Sequence, residues 1–381
     1  MEKGIKSLGL GLQGGGAHTA FSWGVLDRLL DEAADSNLRI DAISGTSGGA
    51  INAAVCTYGL IDGPDRAKRL LREYWNLVSA QSLWPPDPFG LLWPERSPQH
   101  WNVDWTPTAI GLGIVEQIFS PYYDFLFKNP LDAIIRKVIP DFEALRRGGN
   151  GAPRLFVCAT DINSTARRIF EQREISVETL LAAACYPTLF QSIEIDRVFY
   201  WDGGYLGNPA LNPLVDCSDD LLTVTINPID RVGGPPNTSR QILNRINEIS
   251  FNAAWVMEMR QILLINKLLE QKLLQGGGYK PKRFHIIRDD AFMEAIGAAS
   301  KLNPSADFVH ELFERGRRKA DEWVRLNLPK VGVTSSFDVD AEVALRLKGG
   351  AEAHRRFTDE ASKSSGFDME GEPARERRVR S

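Results

Sequence analysis

Cysteine is scarce in this chain. Cys56, Cys158, Cys185 and Cys217 are its four thiols among 381 residues, and no two of them form a C-x-x-C pair. That spacing argues against a zinc ribbon and a disulfide framework, and it fits reduced thiols in a cytoplasmic compartment. Histidine is equally thin, with five residues, so no metal site is expected. A dominant charge is missing too: 45 basic against 49 acidic side chains leave a formal net charge of −4. No overall basic field draws the chain to nucleic acid. No window approaches 18 uninterrupted apolar residues, which excludes a spanning helix, and the first residues carry no signal-peptide pattern. Membrane contact, if any, is expected to be peripheral. What remains is 43% apolar and 25% charged residues, the mix of a globular protein.

The order of patterns reads as a parallel α/β sheet. Residues 5–12 alternate apolar side chains with Gly and Ser before Gly14-Gly15-Gly16, and residues 17–34 follow with helical spacing at Phe21, Val25, Leu26, Leu29 and Leu30. Residues 39–44 suit a short buried strand, and residues 51–60 an Ala-rich helix. Further strands are expected at 155–162, 193–200, 221–229 and 284–287, and helices at 240–274 and 308–326. Between 79 and 127, Trp84, Trp93, Trp101, Trp105 and other aromatics mix with Pro85, Pro86, Pro88, Pro94, Pro98 and Pro107. Prolines forbid a long regular element there, so the stretch is read as an insertion that either folds back on the core or acts as a lid. Beyond 347 the composition is that of a disordered charged tail.

The most informative string is Gly45-Thr46-Ser47-Gly48-Gly49, a G-x-S-x-G between a short apolar strand and a helix. That is the setting of a nucleophile elbow, where a sharp turn pushes the serine hydroxyl out of the sheet. Gly14-Gly15-Gly16 supplies backbone N–H groups that suit an anion. It reads either as an oxyanion hole or, with Gly9 and Gly11, as a dinucleotide fingerprint completed by Asp31, Glu32 or Asp35. Serine needs a base. His100, His285, His310 and His354 carry no accompanying signal, while His18 sits beside the glycine loop on the oxyanion side. Asp202, in Asp202-Gly203-Gly204 at a strand end, is a candidate if burial raises its proton affinity.

Taken together, the three motifs resemble the patatin-like phospholipase family over roughly residues 5–230. The stretches 159–163, 184–190 and 224–228 add to the likeness. The resemblance implies a three-layer α/β/α fold with a mainly parallel central sheet and a helical C-terminal extension. Residues 5–230 would be the catalytic domain, 231–346 the extension and 347–381 the tail. It further implies a Ser47–Asp202 dyad, with an oxyanion hole from the loop Gly14, Gly15, Gly16 and from Gly48. Gly45, Gly49, Gly203, Gly204 and His18 would support these motifs. The implied substrate is a lipid or acyl ester, with no cofactor and no nucleic acid partner; the oligomeric state stays open. His18 and Thr19 depart from the family's loop, which has Arg or Lys and then Gly. A cation beside the oxyanion hole is therefore expected to be missing or pH-dependent, and the turn to be less free. Two rivals stay open: a non-catalytic lipid-binding or regulatory protein of the same fold, and a dinucleotide-binding protein.

Overall fold

The structure, a computed structural model, describes residues 5–341 apart from 83–97, 105, 107, 112, 114–119, 124–128, 150, 232–234 and 275–276. Residues Met1–Asp338 form one unit; of the second, Val339–Ser381, only 339–341 are described. The larger part of the Trp/Pro-rich insertion, 79–127, for which a lid is one reading, and the charged tail lie outside the described residues. Trp101 of the insertion is described, and it is buried against Phe308.

β1 (Lys6–Leu12) starts the sheet. Its Leu-Gly-Leu-Gly-Leu pattern sorts the two faces by size, because successive side chains point to opposite sides. Leu8, Leu10 and Leu12 join the main apolar core with α1 (Ala20–Ala34). On the other face, a Cβ at Gly11 would come within 2.8 Å of Pro209 and 3.0 Å of Leu211. Glycine there lets the segment leading into α7 (Asn212–Val215) lie directly on the strand.

β2 (Leu38–Thr46), β3 (Arg154–Asp161), β7 (Asp220–Val224) and β8 (Arg283–Ile287) complete five parallel strands in the order β3-β2-β1-β7-β8. β4 (Arg167–Glu171), β5 (Ile193–Ile195) and β6 (Val198–Asp202) are antiparallel additions beside β3. Parallel strands require helical crossovers, and helices accordingly cover both faces. α1, α2 (Gly48–Leu60), α3 (Pro64–Ser79), α4 (Leu131–Val138) and α6 (Val177–Ala183) contribute to the main core, as does α10 (Ala306–Asn327). α5 (Phe142–Arg147) and α9 (Asp290–Ile296) are short fillers. α8 (Ser239–Glu270) covers the glycine face of β1, with Trp255 donating to Thr223 of β7 at 3.3 Å. No helix among the described residues is long and apolar enough to cross a membrane.

Two expectations need correcting. Residues 193–200 do not form one strand: Asp196 and Arg197, at φ 51° and 67°, turn the chain back into the β5–β6 hairpin. Two consecutive positive φ angles give the turn whose twist matches flanking strands, but Asp-Arg lacks the glycine that announces it. Residues 221–229 end as a strand at Val224, because Gln13 captures the N–H groups of Ile226 and Asn227. The strand expected at 284–287 forms as β8 and pairs along the full length of β7.

The tightest helix crossing lies between α1 and α10. A Cβ at Gly24 would collide with the carbonyl of Phe313, and one at Gly316 with that of Phe21. The two backbones touch, which leaves no volume for a methyl. Gly24→Ala is expected to cost about 2–3 kcal/mol through overpacking, despite alanine's better helix propensity. Urea unfolding of the two proteins measures it.

Candidate active site

β1 and β2 are neighbours in register, with Leu12 opposite Gly45, so both glycine-bearing turns emerge at one end of the sheet. Ser47 follows Thr46 at the β2–α2 junction with φ 55° and ψ −133°. A non-glycine residue in that region stores about 1–3 kcal/mol of strain, and surrounding contacts must hold it. They do. Ser47 N–H donates to Ala183 at 3.1 Å, and a Cβ at Gly45 would come within 2.7 Å of the Ala50 Cα. Strand and helix are pressed together at the elbow, which is why glycine flanks it.

Asp202 ends β6 and pairs with Ala159 of β3, two strands away from β2. Two strand spacings amount to about 10 Å. The loop after α6 narrows that gap: Ala183 holds the Ser47 backbone, and Cys185 accepts from the Asp202 N–H at 2.8 Å. The Asp202 carboxyl lies beside Ser47, and Gly204 N–H donates to its Oδ1 at 2.8 Å. Both residues are buried, Ser47 at 8% exposure and Asp202 at 2%. Burial pushes the Asp202 carboxyl up to about 6, while the Ser47 hydroxyl, the Gly204 N–H and Lys301 act in the opposite direction. Gly203 begins a 3₁₀ turn, Gly203–Tyr205, not a hairpin, and lies against the Cys158 carbonyl. Burial drives the nearby thiols of Cys158 and Cys185 up to about 12, so neither offers a thiolate.

The glycine loop is anchored by amides that sequence reading overlooked. Gln13, fully buried, donates to Asn208 and Asn252 and accepts from Ile226 and Asn227. Gly14 N–H donates to Asn208 Oδ1 at 2.6 Å, so this amide is an anchor and not a free donor. Among the described residues, no acceptor pairs with the N–H of Gly15, Gly16 or Gly48. Gly16 adopts φ 54°, and a Cβ there would strike the carbonyl of Lys301. The free amides, together with the N-terminus of α2, form a donor-rich end suited to an anion.

The departures at 18 and 19 also resolve. Thr19 is helical, at φ −69° and ψ −5°, so no glycine is required; its hydroxyl donates to the Gly16 carbonyl at 2.7 Å. His18 does not line the cleft. It is buried, with Nε2 2.7 Å from Ser300 Oγ and the ring edge-on to Phe308. Burial, then the neighbouring Lys301, hold its pKa well below the usual histidine value. The cation near the loop is Lys301, from a 3₁₀ turn at Ala299–Leu302, and burial lowers its pKa to about 8, so its charge depends on pH. No local motif announces Lys301; only tertiary packing brings it here.

The dinucleotide reading lacks room. Gly9 and Gly11 lie inside β1 against Leu214 and Pro209, Asp31 pairs with Lys68 and Arg317, and Glu32 pairs with Arg28. His285 is structural, bridging Asp220 and Ser336. A large open cavity, 1070 Å³, lies away from the elbow at the start of the parallel strands, lined by Lys6, Arg39, Asp220 and Arg283 among others.

The family model for patatin-like phospholipase matches residues 10–215, more than half of the chain and inclusive of all three motifs. The chain belongs to this family. Structural comparison returns VipD from Legionella pneumophila at 13% identity and TM-score 0.33, covering 95% of this chain and 81% of VipD. It also returns ExoU from Pseudomonas aeruginosa, in complex with SpcU, at 15% identity and TM-score 0.32. That alignment covers 95% of this chain and 65% of ExoU. No curated protein sequence matches the chain. As a patatin-like phospholipase, the chain falls among lipid acyl hydrolases, and its sheet flanked by helices agrees with that membership.

Proposed function

We propose that this patatin-like protein is a serine acyl-ester hydrolase acting on glycerophospholipid or lysophospholipid, with Ser47 and Asp202 as its dyad. One observation carries the reading: a buried carboxylate, raised in proton affinity by desolvation, beside a serine on a strained elbow. Ser47 Oγ attacks the acyl carbonyl carbon while its proton passes to Asp202. The N–H groups of Gly15, Gly16 and Gly48 receive the oxyanion. Collapse of the tetrahedral species breaks the ester C–O bond, and Asp202 returns the proton to the leaving alcohol. Asp202 then takes a proton from water as its hydroxide equivalent attacks the acyl-serine, and returns it to Ser47 Oγ as the acyl C–O bond breaks and free fatty acid departs. The exposed face of α8, with Ile242, Leu243, Ile246, Ile249, Met257 and Leu264 all about half exposed or more, supports peripheral contact with lipid.

A fluorophosphonate probe tests the reading. Wild-type protein is expected to be labelled stoichiometrically at Ser47, as found by peptide mapping, and to release fatty acid from phospholipid or lysophospholipid vesicles. An unlabelled, inert protein would favour the non-catalytic lipid-binding alternative.

A further inference from the structure

Lys301 belongs to none of the three motifs, yet its ammonium is among the most constrained charges near the elbow. The residue as a whole is half-buried, but its charged end is enclosed. Nζ donates to Asn227 Oδ1 at 2.7 Å and Asn247 Oδ1 at 2.6 Å, and lies 5.1 Å from the Phe251 ring centroid. An ammonium has three donors, and these amides use two. The amide of Asn227 also donates to the Gly14 carbonyl, so cation and glycine loop share one clamp. The Lys301 stem passes within 3.6 Å of where a Cβ on Gly15 would sit. Its own carbonyl abuts Gly16.

Three titratable groups face this ammonium. Asp202 approaches from the end of β6, Glu248 from α8 and His18 from the turn Gly16–Thr19. Glu248 is already engaged by Arg231 and Arg245, and His18 is held neutral by burial. Glu248 attracts Lys301 most, and Asp202, which forms no ion pair among the described residues, is the second anion near it. Once that carboxylate accepts the serine proton, the negative charge of the site moves to the substrate oxygen at the loop.

We propose that Lys301 is a positioning residue of this esterase, fixing positive charge behind the Gly15–Gly16 amides where the tetrahedral oxyanion forms. The proposal rests on the hydrolase reading above. A charge in an enclosed site acts more strongly than in water, and it is already oriented before reaction. Burial also lowers the ammonium pKa to about 8, with Glu248 and Asp202 opposing, so the charge is lost within an accessible range. Activity then requires Asp202 ionised and Lys301 protonated, which gives a bell-shaped profile between about 6 and about 8.

The test measures kcat and KM for a soluble p-nitrophenyl acyl ester against pH in wild type, Lys301→Met and Lys301→Arg. Fluorophosphonate labelling of wild type runs in parallel. The methionine variant is expected to lose about 10- to 100-fold in kcat at pH 7, less than removal of a direct oxyanion donor, with KM nearly unchanged. Its alkaline limb should vanish, and its acid limb should move upward because Asp202 has lost a cation. Lys301→Arg should retain activity and carry the alkaline limb to higher pH. A labelled wild type whose alkaline limb stays put in both variants overturns the role of Lys301 alone. If the methionine variant does not fold, an unmoved limb in the arginine variant is sufficient to overturn it. Wild type that neither labels nor hydrolyses overturns the hydrolase reading and this proposal with it.

Discussion

Replacing Ser47 with alanine is expected to reduce ester hydrolysis by at least about 10⁴-fold and to abolish phosphonate labelling, because no other nucleophile stands at the elbow among the described residues. The nearby thiols are protonated, and the remaining donors only polarise a carbonyl. Ser47→Gly is expected to be equally inactive but more stable than Ser47→Ala, by about 1 kcal/mol. At φ 55° and ψ −133° any Cβ is strained, whereas glycine enters that region without cost. The stability order glycine above alanine, read by chemical denaturation, reverses the usual ranking and checks the elbow independently of catalysis. Alanine proving the more stable would remove the strain from the argument.

Asp202→Asn carries the second large effect. The amide can still accept from Gly204 N–H, so the turn is retained, but it cannot take the serine proton. A loss of about 10³- to 10⁴-fold in kcat is expected. Stability should move the opposite way. The folded carboxyl titrates near 6, above its ordinary value, so the folded state binds protons that the unfolded chain has already released. The ionised group therefore destabilises the fold above about pH 6, and this penalty disappears as pH falls below the unfolded value. Asparagine removes that dependence. Thermal melts at pH 5 and pH 8 should converge in the variant relative to wild type, and a wider spread in the variant would contradict the buried-charge account.

Much of the architecture could be read from periodicity and turn chemistry. The alternating Leu and Gly of residues 8–12, the elbow string and the strand-ending Asp-Gly-Gly each encode a local requirement, and each occupies the place expected of it. The hairpin at 193–202 escaped because its turn uses Asp196 and Arg197 in a conformation that sequence assigns to Gly or Asn. α8 defeats patterning more deeply. Its recurring Ile242, Ile246 and Ile249 are exposed, while Asn244, Glu248, Asn252 and Glu258 are buried. The inverted face is explained by partners: Asn252 meets Gln13, Glu258 accepts from Leu211 and Asn212 N–H, and Asn244 meets Asp104. Those partners are 46 to 239 positions away, so no local window contains the information. The anchoring amides Gln13, Asn208 and Asn227, and Lys301, were illegible for the same reason. At the candidate site, the motifs carrying Ser47 and Asp202 were legible in the sequence, but the scaffold that holds them was not.

The arrangement of β8 and α8 has a consequence for the order in which the polypeptide is made. The serine and aspartate are both encoded by residue 202, yet the outer edge of β7 stays open until residues 283–287 emerge. Gln13 likewise lacks its Asn252 partner until most of the chain has left the ribosome. A nascent chain carrying both Ser47 and Asp202 thus remains an incomplete sheet whose glycine loop lacks one of its anchors. The sheet and the glycine loop are closed only after the elbow and the Asp-Gly-Gly turn have been made.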